Sequence, residues 1–248
     1  MAILDRTDEG AIARLTLNSP GNLNALSDAM LAALQAEFER LAQDRSIRVI
    51  TIQGAGKAFC AGHDLKEMTA GRQAEDGGRA YFADLFARCA RMMTTIRALA
   101  AGCQLVASCD MAVATHGTRF GVNGVNIGLF CSTPMVALSR NIPRKQAFEM
   151  LTTGHFIDTT RAAELGLINR AVPPEDLESE TMALAETVAS KLGSAVRIGK
   201  RAFYEQLEMG LECAYAHTGA VMVENMLDRD TAEGIAAFID KRAPNWDQ

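Results

Sequence analysis

Two stretches of this chain combine small residues, a glycine and the start of a helical pattern in a way suited to holding negative charge. One is Phe59-Cys60-Ala61-Gly62-His63-Asp64; the other is Ala100-Ala101-Gly102-Cys103. Each leads from an apolar segment through a glycine turn into a helix. Small residues at such a turn leave backbone N–H groups free to point into a site, where they stabilise charge as it develops. Two of these groups aimed at one point make an oxyanion hole. That suits a thioester carbonyl becoming an enolate, because the charge builds on oxygen. A glycine turn before a helix is more often a plain connection, so the spacing alone leaves both readings open. The second stretch continues to Asp110 as AAGCQLVASCD. There Cys109 and Asp110 read as a buried polar pair, with Asp110 a structural acid satisfied by backbone donors.

Other chemically able side chains have plainer readings. Asp64 reads as the cap of a helix starting at Leu65. His63 offers its N–H rather than its ring, and Glu67, a turn further on, reads as surface. His116 falls in a loop. His155 and His217 lie in helical surroundings without a carboxylate at metal-ligand spacing. Cys131 and Ser132 would need a base partner to act as nucleophiles, and the sequence shows none. The six cysteines are scattered with no C-x-x-C pair, so no zinc or other metal site is expected.

The elements that must position these groups follow from periodicity. Ala11–Leu17 alternates as a strand, with Leu15 and Leu17 on one face and Arg14 and Thr16 on the other. Ser27 caps a helix to about Gln43 whose stripe is Met30, Leu34, Phe38 and Leu41. Ile47–Gln53 reads as a buried strand. Further helices are expected at Asp64–Thr69, Arg79–Leu99, Pro134–Ser139, Arg144–Thr153, Thr159–Leu165 (stopped by Gly166) and Leu177–Leu192. Met111–Thr115 reads as a short strand, and from Arg197 the pattern is almost wholly helical. The reading is mixed α/β, divided as residues 1–192 and 193–248. Between Arg79 and Ala114 the apolar period is broken only by Gly102, too long for one helix of a globular domain. A strand and turn are expected between Arg97 and Ala100, and neither is written there.

Composition sets outer bounds. Of 248 residues, 48% are hydrophobic and 22% charged, enough to bury a sizeable core. A net charge of −5 argues against a broad nucleic-acid surface. The longest apolar run, near Ala98–Ala114, carries Gln104 and Asp110 and is a poor membrane span. The start, MAILDRTDEG, does not resemble a secretory signal. Thiols in apolar context fit a reducing compartment, and the cytoplasm is expected.

These motifs resemble the crotonase superfamily, the enoyl-CoA hydratase and isomerase group. Leu17-Asn18-Ser19-Pro20 with Asn24-Ala25-Leu26 is similar to its first signature, and Lys57–Leu65 to its first oxyanion loop. Ala100–Asp110 is similar to the second loop. Gly154, Thr160–Leu167, Val172-Pro173 and Gly234–Trp246 resemble its later elements. AAGCQLVASCD with Leu129-Phe130-Cys131-Ser132-Thr133-Pro134 is closest to the enoyl-CoA hydratase domain-containing branch. The resemblance implies a spiral of ββα units, a helical C-terminal trimerisation region, and a homotrimer or dimer of trimers. It implies a coenzyme A thioester as substrate, no covalently bound cofactor, and a hydratase-like lyase or isomerase of fatty acid metabolism. Carried over by position, the thioester oxygen accepts from the N–H groups of His63 and Ala101. The CoA lies against Lys57, Ala58, Cys60, Asp64, Leu65 and Lys66, with Phe238 and Lys241 reaching it from the tail and Lys241 and Arg242 as phosphate partners. Asn123 and Asn126 supply polar contacts in the pocket.

Two departures stand out. The family's hydratases place two glutamates about the enoyl group, one to activate water and one to deliver a proton. Here those positions are Gln104 and Gly124, neither of which exchanges a proton near neutral pH. A non-catalytic CoA-thioester binder or scaffold is therefore the rival to the enzyme, and a third reading uses Asp64 or a bound water as base. The second departure is length: about a dozen residues, a strand and its turn, are missing between Arg97 and Ala101 against the family pattern. Three explanations compete: a segment closed over by the numbering, which we favour from sequence alone, a deletion, or a local rearrangement. Ordinary Cα steps of about 3.8 Å would rule out the first.

Overall fold

The alternation near residue 12 folds as the middle strand of a three-stranded sheet. In the computed structural model, which describes residues 2–99 and 103–246 (without side chains for 97–99 and 103), β2 (Ile12–Leu17) lies between β1 (Leu4–Glu9) and β3 (Val49–Gly54). β1 pairs antiparallel, Leu4 opposite Leu17, and β3 pairs parallel, Ile12 opposite Val49. A parallel neighbour needs a crossover, and α1 (Asp28–Gln43) supplies it. Ser27 Oγ accepts from the Met30 N–H at 3.2 Å, as its place before the apolar stripe requires. Met30, Leu34, Phe38 and Leu41 then bury against Leu15 and Leu17. Behind α2 (Leu65–Gly71), α3 (Arg79–Leu99) closes the same core with Leu85, Cys89, Met92 and Ile96. Glu37, on the buried side of α1, is held by Arg6 at 3.0 Å and Arg40 at 2.7 Å.

The long apolar stretch resolves into separate pieces. α4 (Cys103–Val106) and β4 (Val113–Thr115) follow α3, and among the described residues no strand lies between α3 and β4. Among the described residues β3 pairs only with β2, and the strand expected to be buried is half-buried. The Cα steps that reach Ala100 and Ala101 lie outside the described residues.

A second core gathers Phe120, Val122, Leu138, Ile142, Met150, Leu151, Leu167 and Ile168. It is built by β5 (Arg119–Phe120), α5 (Ser132–Asn141), α6 (Arg144–Thr153), β6 (Ile157–Asp158), α7 (Thr159–Glu164) and β7 (Arg170–Val172). β4 pairs parallel with β7, and β5 antiparallel with β6. Gly154 and Gly166, both at positive φ, end α6 and α7. Two compact units divide the chain, residues 1–185 and 186–248. α8 (Leu177–Ala189) runs across that boundary. The second unit contains α9 (Gly193–Gln206), α10 (Leu211–Met226) and α11 (Arg229–Ile239). Among the described residues no helix is long and apolar enough to cross a membrane.

Candidate active site

The first glycine loop is laid on the segment that precedes α1. Leu23 and Asn24 both take left-handed backbone angles, φ 57° and 54°, which turn the chain so that its polar groups face the loop. The Ala61 N–H donates to the Leu23 carbonyl at 3.1 Å, and the Leu26 N–H donates to the Gly62 carbonyl at 2.7 Å. The Gly62 N–H points to Cys60 Sγ at 3.5 Å. The next N–H, that of His63, has no hydrogen-bond partner among the described residues. A peptide N–H left open beside a tightly tied loop is a donor available to a ligand.

The His63 ring does a different job. It stands edge-on to Phe86, ring centres 5.6 Å apart. Burial pushes its pKa down, the Leu26 backbone offsets this in part, and nearby Arg88 adds to the lowering. A ring whose pKa is lowered by burial is a weaker base than an ordinary imidazole. Asp64 caps α2 as expected: Oδ1 accepts from the Lys66 and Glu67 N–H groups at 2.8 and 3.3 Å, and Oδ2 from Asn22 at 3.4 Å. Glu67 is not a free surface acid. Its Oε2 accepts from the Asp28 N–H at 2.7 Å, fixing the start of α1 to α2. Lys57, Leu65 and Lys66 are exposed, while Ala58 and Cys60 are half-buried. Burial raises the Cys60 thiol, with the Gly62 N–H acting weakly against it.

α4 packs on the same core as the first loop, for Leu105 is a member and Phe59 and Cys60 lie against it. Gln104 is half-buried, and its side-chain amide has no hydrogen bond among the described residues. Ser108 Oγ donates to its carbonyl at 2.5 Å. Ala101, the second expected donor, lies outside the described residues. Asp110 is exposed rather than buried, because α4 ends at Val106 and the chain turns outward before β4. Cys109 is half-buried against the first core.

Gly124 sits in a 3-10 turn, Asn123–Ile127, closed by the Leu129 N–H on the Gly124 carbonyl at 2.9 Å. A Cβ at 124 would stand 2.6 Å from the Leu129 carbonyl oxygen and 2.8 Å from Cys131 Sγ. The turn therefore excludes a side chain, glutamate included, unless it shifts. Asn126 lies against the end of α6, its Oδ1 2.6 Å from where a Cβ on Gly154 would be. In the second unit Phe238 is 85% exposed on α11. Lys241, at φ 54°, ends that helix: its N–H donates to the Phe238 carbonyl and the Arg242 N–H to that of Ala237. The Arg242 guanidinium is paired with both Glu233 oxygens, at 2.6 and 2.9 Å. Among the described residues no group of acids, histidines or cysteines could hold a metal.

What the sequence reading missed was the template, in particular the Asn22, Asn24 and Glu67 contacts. The available signal was Pro-Gly-Asn ahead of Asn24, residues that favour turns and left-handed backbone.

The fold is α/β of the crotonase type, and comparisons agree. The chain matches the enoyl-CoA hydratase/isomerase family over residues 7–248 and belongs to it. It is 45% identical to the mouse mitochondrial enoyl-CoA hydratase domain-containing protein 3, covering 96% of this chain and 82% of that protein. The match to the human protein of that name is also 45%, over 95% and 80% of the two chains. A crystal structure titled enoyl-CoA hydratase from Mycobacterium smegmatis superposes with a TM-score of 0.94, at 49% identity and 99% of both chains. That of human enoyl-CoA hydratase domain-containing protein 3 gives 0.92, at 42% identity, over 98% and 100%. The mouse match spans 251 positions yet includes only 96% of this 248-residue chain, so the mouse protein carries residues with no counterpart here.

Proposed function

We propose that this protein binds acyl-CoA thioesters and stabilises the thioester enolate through the backbone N–H groups of His63 and Ala101. The observation that carries the reading is the unengaged His63 N–H, left open while its neighbours at 61 and 62 are occupied. A fixed donor aimed at developing oxyanion charge needs no reorganisation during the reaction. In this reading the CoA lies against Lys57, Ala58, Cys60, Asp64, Leu65 and Lys66, with Asn123 and Asn126 lining the pocket and Phe238 and Lys241 meeting it from the tail, in a homotrimer or dimer of trimers. Arg242 is already paired with Glu233 and is not assigned to phosphate. No covalent cofactor is involved. The substrate class is that of the relatives' names, and the setting is a reducing one such as the cytoplasm, in keeping with the free thiols of Cys60, Cys89, Cys109, Cys131 and Cys213.

A second reading, a CoA-thioester binder without turnover, is favoured by Gln104 and Gly124. An amide and a glycine replace the two acids that hydration requires. Crotonyl-CoA separates the two. The enzyme reading expects loss of the enoyl absorbance well above background with the unmodified protein; tight binding without turnover leaves the scaffold. Failure to bind any CoA ester by calorimetry would overturn both.

A further inference from the structure

The Asn24 side chain is fully buried and all of its hydrogen-bonding groups point at one loop and its template. Its Oδ1 accepts from the Ser19 N–H at 2.8 Å, and its Nδ2 donates to the carbonyls of Ala55 and Ala58, each at 2.8 Å. Both amide hydrogens are therefore used to tie down the two ends of one turn, with Gly56 and Lys57 between them. The opposite wall is equally close. Gly56 has φ +82°, and a Cβ there would stand 2.8 Å from Pro20 Cβ. Asn24 itself takes φ 54°, a conformation costing roughly 1 kcal/mol for most side chains and tolerated best by asparagine and glycine. The backbone of the same template, at Leu23 and Leu26, holds Ala61 and Gly62 instead. One short segment thus serves two parts of the loop by separate means.

We propose that Asn24 is a positioning residue for the nucleotide end of the CoA site: its carboxamide fixes the Ala55–Ala58 turn, while the Leu23 and Leu26 backbone fixes the carbonyl-binding end at His63. This rests on the assignment of CoA to the Lys57–Cys60 loop. Loosening the turn should weaken the contacts made by the nucleotide without touching those made by the thioester.

The test compares crotonyl-CoA with crotonyl-pantetheine, which carries the thioester but no nucleotide. Asn24→Gly keeps the left-handed backbone and removes the carboxamide. With two net hydrogen bonds lost from the loop, affinity for crotonyl-CoA should fall about tenfold, while affinity for crotonyl-pantetheine stays within about twofold. A parallel loss for both ligands, or none for either, overturns the proposal, since general destabilisation would not discriminate. A second measurement needs no variant. In the unmodified protein the Asn24 side-chain amide protons should exchange slowly, and more slowly still with crotonyl-CoA bound; fast exchange indifferent to the ligand overturns the proposal. If the unmodified protein binds neither ester, the CoA assignment fails on its own. Slow exchange of the amide protons would then still separate the clamp from that failure.

Discussion

A side chain at position 124 should cost stability. Gly124→Ala is the minimal perturbation. The added Cβ would sit 2.6 Å from the Leu129 carbonyl oxygen and 2.8 Å from Cys131 Sγ. Both gaps lie well inside the roughly 3.5–4.0 Å of a favourable nonbonded contact. The sulfur can rotate away. The carbonyl cannot do so cheaply, because the Leu129 N–H is bound to the Gly124 carbonyl at 2.9 Å and the Gly128 N–H to that of Val125 at 3.1 Å. Overpacking of this kind costs about 1–3 kcal/mol. For a chain of this size about 2 kcal/mol corresponds to a fall in Tm of roughly 4–8 °C. The assay is thermal unfolding by circular dichroism with a double-mutant cycle. Cys131→Ala should recover only part of the loss, since the carbonyl contact remains, and the coupling should exceed about 0.5 kcal/mol. Gln104→Glu, whose amide has no partner to lose, should leave Tm nearly unchanged. A Gly124→Ala protein as stable as the parent would refute the reasoning.

Other expectations follow from single sites. Burial lowers the His63 pKa, so its contribution to stability is full above about pH 6.5 and declines as pH falls below it, because the unfolded chain takes up the proton more readily than the folded one; a His63→Phe protein should lose that slope in urea titrations. Arg242 and the Asn245 N–H hold Glu233 down to about 2. The lock at the end of α11 is therefore intact above the ordinary glutamate range and released as pH falls through about 2, which carboxyl NMR shifts would follow; an ordinary titration midpoint would count against it. Burial pushes the Cys89 thiol up to about 11 and also raises Cys60, so both should alkylate more slowly at neutral pH than exposed Cys213, read by mass spectrometry of timed iodoacetamide reactions. Gly154→Ala meets both a φ of +64° and the Asn126 carboxamide, so a loss of about 2 kcal/mol is expected in denaturant unfolding; no measurable loss would show that the Asn126 contact yields.

Much of the architecture could be read from local pattern. The alternation Leu15–Thr16–Leu17, the Ser27 cap and the stripe Met30–Leu34–Phe38–Leu41 depend on neighbours a few residues away, and they fold as read. Asp64 is another such case, since its cap is made with the N–H groups two and three residues on. Short strands such as β5 and β6 were not legible, for two residues carry no period and owe their pairing to α6 and Gly154 between them. Asp110 was misjudged because its apolar neighbours fit a buried helix, whereas α4 stops at Val106.

That the chain carries glutamine at 104 and glycine at 124 was settled by the sequence alone, because a residue's identity fixes what proton or donor it can offer. Tertiary structure decided which of those donors are open. Whether the Ala61, Gly62 or His63 N–H faces a ligand depends on where the acceptors fall: the Leu23 carbonyl, nearly forty residues upstream, takes the Ala61 N–H, and the nearby Cys60 sulfur that of Gly62. Whether Gly124 can ever carry an acid likewise depends on a carbonyl and a thiol brought round by the turn at 123–127. A break in pattern before Ala101 was visible in the sequence, but the pairing of β3, with β2 alone among the described residues, could be seen only in the tertiary structure.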